Sequence, residues 1–416
     1  MQSTTKILAG ATCALAASAV LGVWGYGTYT AGRAFDEAAM SNFESVLPDP
    51  ITARVTHYEG GFFRKNFRVT LEAEGMTQIG TYEGVAKPGL TTTVSLKRVH
   101  DSVLDERLMA AGVKGFDDAI ELEYSAWDAL TQKAEALPTS SLTYTLKPFS
   151  IEEIDGKCSF EKLSLSMTTG ETIDVSAATP GFICQPVNGP EFKFGAFDLT
   201  FKTGSEPIVQ AMKGEELGLA ATSFTLKMGP LESAAYRHEG LEFSTNLTAD
   251  NDQKSLWTES LAFTLQKPAS AELFFWLPQA GVPDYLKVDM KIRGITLELG
   301  KALDAALYSG DVELPLILLS QAMQEKNLVM ELTNLALSVN GKEATLKGQV
   351  ANEIHDGRGE IVGRFAFASP EGVLPADSLA QALAAGWVKK DENGNLTSDL
   401  VLSLRGGSAN GVPLHY

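Results

Sequence analysis

The sequence predicts a mainly β (α+β) fold: an N-terminal transmembrane helix, then a large antiparallel sheet, curved or folded into a sandwich, with a few covering helices. Three observations carry this expectation. Hydrophobic and polar residues alternate through most of the chain, the pattern of strands with one apolar and one wet face. Glycine-containing dipeptides suited to tight reversals separate those runs. An uncharged apolar stretch of membrane-spanning length stands near the start. The 416 residues, 44% hydrophobic and 21% charged, suffice for a sizeable core and exclude low-complexity or disordered classes.

The first element lies between Ile7 and Trp24 (ILAGATCALAASAVLGVW), with Leu15 and Leu21 in its apolar body. As a helix it spans about 27 Å, close to the hydrocarbon thickness of a bilayer. Lys6 and the amino group precede it; Arg33, Asp36 and Glu37 follow, an asymmetry that favours the N-terminus inside. Ala17-Ser18-Ala19 offers a signal-peptidase-like site, so a cleaved signal peptide is the rival reading. The apolar run continues beyond that site, and Trp24, Tyr26 and Tyr29 suit an interfacial belt, so an uncleaved anchor is preferred. A lipoprotein is a poor fit at Cys13, which lacks the usual preceding leucine. Phe35, Ala39, Phe43 and Leu47 then form an apolar stripe at helical spacing, closed by Pro48 and Pro50. Residues 1–47 are thus read as anchor plus amphipathic helix, and 48–416 as a strand-rich body with a soft boundary near 278–283.

In the body, period-two runs recur at Leu142-Tyr144-Leu146, Leu163-Leu165-Met167, Phe197-Leu199-Phe201, Phe224-Leu226-Met228, Leu261-Phe263-Leu265, Val288-Met290-Ile292, Ile295-Leu297-Leu299, Leu335-Leu337-Val339 and Leu400-Leu402-Leu404. Reversals are expected at Thr169-Gly170, Asn340-Gly341, Asp356-Gly357, Asn393-Gly394 and Asn410-Gly411. Gly60-Gly61 before Phe62-Phe63 reads as a bulge or sharp turn that tucks two aromatics inward. Leu199, Phe201, Leu226, Phe263, Leu297 and Leu337 represent the inward face. Helical spacing appears at 101–112, 126–137, 206–216, 302–308, 313–326 and 376–385. The runs LPLILL (314–319) and LFFWL (273–277) are too short to span a bilayer and read as helices covering the sheet, with membrane contact as the alternative.

Composition narrows function by exclusion. Net charge is −18, and the basic residues form only pairs (Lys97-Arg98, Lys389-Lys390) and the trio Arg64, Lys65 and Arg68, read as a solvated face. Nucleic acid is not an expected partner. The five histidines are scattered and no C-x-x-C occurs, so no metal site or other cofactor is expected. Cys158 and Cys184 are expected to bridge in an oxidising compartment; two unpaired buried thiols are the alternative. The glycines at 357, 359 and 363 miss a dinucleotide fingerprint by one residue, and His238-Glu239 lacks the second histidine of a zincin. Gly406-Gly407-Ser408-Ala409-Asn410 is not a nucleophile elbow. The acidic pairs Asp117-Asp118, Glu152-Glu153 and Glu215-Glu216 read as solvated turns or helix ends, and His57 and His100 as hydrogen-bonded structural residues. No catalytic residue is assigned.

Two stretches together carry a family resemblance. One is the anchor, Tyr29-Thr30-Ala31-Gly32, the amphipathic helix and Val55-Thr56-His57-Tyr58-Glu59-Gly60-Gly61-Phe62-Phe63; the other is Gly386-Trp387-Val388, Asn393-Gly394, the strand through Leu402 and Asn410-Gly411-Val412-Pro413-Leu414. Both ends resemble the YdgA family of bacterial envelope proteins, a domain of unknown function. The resemblance implies a single-pass inner-membrane anchor and a strand-rich periplasmic body, and it supplies no catalytic or ligand residues. The expectation is therefore a non-enzymatic envelope protein that contacts membrane lipid through its anchor and scaffolds or binds an envelope lipid or protein. The alternatives are a lipid-binding or transfer groove, which requires an apolar groove open to solvent, and an envelope hydrolase assembled from distant loops, which requires clustered carboxylates in a concave pocket.

Overall fold

In the computed structural model the described residues are 39–41, 51–60, 64–73, 76–88, 91–100, 103–125, 136–214, 218–250, 255–270, 282–309, 314–326, 328–355, 358–374, 376–403 and 405–414. The chain forms two compact units, Met1–Leu217 and Gly218–Tyr416, and 278–283 falls within the second. The anchor residues Ile7, Leu15, Leu21 and Trp24 lie outside the described residues, as do 126–135 of one expected helix, the run LFFWL, Phe62-Phe63 and Asp356-Gly357. No helix among the described residues is long and apolar enough to cross a membrane.

The first unit contains β1 (Ile51–Gly60), β2 (Lys65–Ala73), β3 (Met76–Lys87), β4 (Thr91–Arg98), α1 (Val103–Ala110), β5 (Val113–Lys114), β6 (Asp118–Ser125), β7 (Ser140–Leu146), β8 (Phe149–Glu153), β9 (Gly156–Phe160), β10 (Leu163–Thr169), β11 (Thr172–Thr179), β12 (Phe182–Pro186), β13 (Phe192–Phe194), β14 (Phe197–Gly204) and α2 (Glu206–Met212). Its main sheet runs β1-β2-β3-β4-β6-β7-β10-β11-β14, antiparallel throughout. The intervening strands build a second sheet, β5-β8-β9-β12-β13. Proline marks two of the crossings between the sheets, Pro148 between β7 and β8 and Pro180 between β11 and β12. Without an N–H, proline cannot continue a ladder, so the chain changes sheet there. Phe149, Phe160, Phe182 and Phe194 stand opposite one another on the second sheet, with ring centroids 4.6, 5.2 and 5.1 Å apart.

The second unit repeats the scheme with β15 (Thr222–Met228), β16 (Leu231–Glu232), β17 (Tyr236–His238), β18 (Gly240–Ala249), β19 (Trp257–Gln266), β20 (Ala269–Ser270), β21 (Tyr285–Ile295), α3 (Leu297–Ser309), α4 (Leu314–Lys326), β22 (Val329–Val339), β23 (Lys342–His355), β24 (Arg358–Ser369), α5 (Ala376–Ala384), β25 (Lys389–Lys390), β26 (Leu396–Ser403), β27 (Gly406–Ala409) and β28 (Val412–Leu414). Its main sheet runs β15-β18-β19-β21-β22-β23-β24-β26-β27-β28, again antiparallel. Pro230 and Pro268 stand where the chain leaves it for the short strands β16 and β20. The reversals at Asn340-Gly341 and Asn410-Gly411 place both residues at positive φ (54° and 73°, 51° and 79°), the geometry of a two-residue hairpin turn.

The mainly β, antiparallel expectation holds, and most expected helices form within a few residues of their expected ends. One strand does not form: Ile295 ends β21, and Leu297 and Leu299 belong to α3, which extends the helix expected at 302–308 toward the N-terminus. The physical reason is a cap. Thr296 Oγ1 accepts the Leu299 N–H at 3.3 Å and its carbonyl accepts the Gly300 N–H at 2.9 Å, closing a first helical turn. Ala39 is helical and buried in the first unit's core, as the stripe from Phe35 to Leu47 implies for that position.

Candidate functional site

Strand alternation aligns side chains across a sheet because residues paired in register share a face. In the second unit this produces one row of apolar residues across seven strands: Leu226, Phe243, Phe263, Val288, Leu335, Leu346 and Phe367. At about 4.8 Å per strand the row is about 29 Å long. A second row lies beside it, with Phe224, Leu261, Met290, Leu332 and Phe365. Phe365 passes so close to Gly348 that a Cβ there would meet its ring at 2.6 Å, so the glycine makes room for the aromatic.

Burial along this face is uneven. On one side of the two rows, α3 and α4 lay Leu299, Leu303, Leu318, Leu319, Ala322 and Met323 over Trp257, Ile292, Met330 and Val350. On the other side, Val339, Ala344 and Val373 form a small core that Leu337 and Phe367 join. Between these covers, Leu226, Phe243, Phe263, Val288, Leu335 and Leu346 are all only half-buried. The LPLILL run covers the sheet as expected: Leu318 and Leu319 pack on the core, while Ile317 is 49% exposed.

Glu259 interrupts the apolar face. It follows Trp257 and precedes Leu261 on the same side of β19, opposite Leu247 and Ile292. Burial raises its pKa, because a half-desolvated carboxylate favours the neutral form. Among the described residues it has no hydrogen-bond or ion-pair partner.

The first unit is different. Phe67, Tyr82, Leu96, Ile120, Tyr144 and Leu146 are buried in one continuous core. Within it Arg98 and Asp118, each with 1% of its side chain exposed, pair through Nη1 and Oδ1 at 3.3 Å. Tyr82 donates its hydroxyl to Asp118 Oδ2 at 2.9 Å and Tyr144 does so at 3.3 Å. Asp105 approaches the Arg98 Nε at 3.5 Å, and the Phe116 ring lies 4.9 Å from the guanidinium carbon. Burial first, then the Asp118 charge, raises both tyrosine pKa values well above the usual range. The Arg98 pKa is also raised: burial opposes its charge, but Tyr82, Asp118 and Asp105 outweigh that penalty. Sealed from solvent, this network orders the core.

On the opposite, polar face of β3, β4, β6 and β7 lies a recess of about 320 Å³ lined by Lys87, Ser95, Glu121, Glu123, Ser141 and Thr143 among others. Its glutamates, two residues apart on β6, stand about 7 Å from each other. Two carboxylates, one ammonium and several hydroxyls can hold polar groups; no histidine or cysteine lines the recess.

Of the site residues expected from sequence, Cys158 and Cys184 are bridged, directly opposite each other on β9 and β12 with Cα atoms 4.0 Å apart. Asp118 corrects the expectation of a solvated acidic pair. Alternation puts it in phase with Ile120, facing the core, while Asp117 stays nearer the surface and pairs with Lys147. Lys65 likewise is buried rather than part of a solvated trio, while Arg68 pairs with Glu83 at 2.6 Å. His57 and His100 are exposed, each 3.4 Å from a carboxylate of Glu59 and Asp117 respectively. Sequence reading missed the roles of Arg98, Asp118 and Glu259. Each occupies an apolar-phase position of its strand, as in Val94-Leu96-Arg98 and Trp257-Glu259-Leu261, and that phase is the signal that could have found them. Comparison of the chain with protein-family models, curated proteins and solved structures finds no match.

Proposed function

We propose that this protein is a non-enzymatic, lipid-binding member of the bacterial cell envelope, anchored in the inner membrane by the helix from Ile7 to Trp24, with its body in the periplasm. The half-buried apolar rows between the two covers of the second unit carry this reading. An apolar strip about 29 Å long suits an extended acyl chain, and each methylene withdrawn from water there contributes about 0.8 kcal/mol. The resemblance of both chain ends to the YdgA family and the apolar N-terminal segment support the location. The acidic net charge of −18 disfavours nucleic acid as a partner.

Site-specific crosslinking tests the reading. A photoreactive phenylalanine analogue at position 263 or 335 of the full-length protein is expected to capture lipid in cells, and one at position 227, on the opposite face of β15, is not. Equal capture at all three positions, or none, overturns the acyl-chain assignment. N-terminal sequencing tests the anchor: a mature chain beginning at Val20 would make the protein a soluble periplasmic one.

A further inference from the structure

Among the described residues, Glu259 is the only acidic side chain on the apolar face from β15 to β24; the one basic side chain in the same phase, Lys342 at the start of β23, donates to the Glu371 carbonyl at 2.8 Å, and the other alternate positions are uncharged. It sits where the helix-covered part, marked by Trp257, gives way to the open rows, marked by Leu261 and Phe263. A lone carboxylate there loses hydration and gains no protein partner in exchange. Its charge suits a cationic group brought by a ligand and repels an anionic one.

Resting on the acyl-chain reading above, we infer that Glu259 sets the lipid class: the strip takes diacyl lipids with a primary-ammonium headgroup of the ethanolamine type, the ammonium meeting the Glu259 carboxylate and an acyl chain lying along Leu261 and Phe263. The ammonium supplies donors that the aliphatic side chains of Leu247 and Ile292, opposite Glu259 on the two adjacent strands, lack. Headgroups with only a negative charge, such as phosphatidylglycerol, place like charge beside it.

The test uses the full-length protein with the photoreactive analogue at position 263, exposed to vesicles of equal phosphatidylethanolamine and phosphatidylglycerol, with adducts identified by mass spectrometry. The expected result is about tenfold enrichment of ethanolamine adducts, equivalent to ~1.4 kcal/mol. Glu259→Gln keeps the shape and is expected to retain the adduct yield while the ratio falls to within about twofold of the mixture. A thermal melt of Glu259→Gln confirms that it folds. Adducts that mirror the mixture in the unsubstituted protein, or a preference that survives Glu259→Gln, overturn the headgroup assignment and leave the acyl-chain reading standing. Absence of adducts from both proteins overturns the acyl-chain reading itself. Free ethanolamine in excess is expected to leave the yield unchanged; displacement by it would identify a soluble-amine site and refute the lipid assignment.

Discussion

Replacing Asp118 by alanine removes the acceptor on which the first unit's buried network converges. The carboxylate takes two tyrosine hydroxyls and one guanidinium nitrogen, with both charged side chains 1% exposed. Breaking a buried ion pair from one side costs about 3–5 kcal/mol, because the remaining charge stays desolvated. Each stranded hydroxyl adds about 1–3 kcal/mol, although the terms overlap. Asp105, 3.5 Å from Arg98 Nε, retains part of the attraction. A net loss of about 4–6 kcal/mol follows, comparable with the whole stability of a small domain. Hydrogen exchange resolved on peptides covering β4 and β6 is the assay, since it reads this core directly. Protection there is expected to fall by about a thousandfold or more. Combining Arg98→Met, Asp118→Leu, Tyr82→Phe and Tyr144→Phe removes Asp118 with its three partners, leaves only the less deeply buried Asp105 of the network, and is expected to recover at least half of the loss. A change below about 1 kcal/mol for Asp118→Ala would refute the reasoning, because it would mean the carboxylate is hydrated in solution.

Three further outcomes follow from the same structure. The raised pKa values of Tyr82 and Tyr144 mean that the stability they contribute is fully present below about pH 10 and is lost as pH rises further, because the unfolded chain ionises first. Absorbance of phenolate should therefore show these two residues titrating only together with loss of strand circular dichroism; reversible titration in the folded protein would contradict their burial. The raised pKa of Glu259 gives stability that is present at acid pH and falls as pH rises through its folded value, so Glu259→Gln is expected to melt higher than the unsubstituted protein near neutrality and equally at pH 3–4, by calorimetry. Reducing the Cys158–Cys184 bridge, with 26 residues of sequence separation, is expected to cost about 3.5 kcal/mol in a denaturant titration with and without reductant; no shift in midpoint would show that the bridge does not constrain the unfolded chain.

The strands were legible because a sheet with one apolar face writes its period into the chain. Phe197-Leu199-Phe201, Phe224-Leu226-Met228 and Leu335-Leu337-Val339 all lie in strands in the expected phase. The Asn340-Gly341 and Asn410-Gly411 turns were legible for a local reason too, since few other residues accept positive φ at two successive positions. The two cysteines were legible as a candidate bridge, but whether they meet depends on β9 and β12 being neighbours, which no local pattern states. Leu297 and Leu299 show where local reading fails: their spacing fits a strand and a helix equally, and Thr296 decides between them by capping. Which apolar face would close and which would stay open was not written in the alternation. Ile120 and Phe263 have the same kind of sequence neighbours, yet one is fully buried and the other only half-buried. Likewise, Arg98 found Asp118 and two tyrosines, whereas Glu259 found no described protein partner. Period two states which residues share a face. What covers that face, and which charge meets which, depends on segments distant in the chain, and only the tertiary structure brings those together.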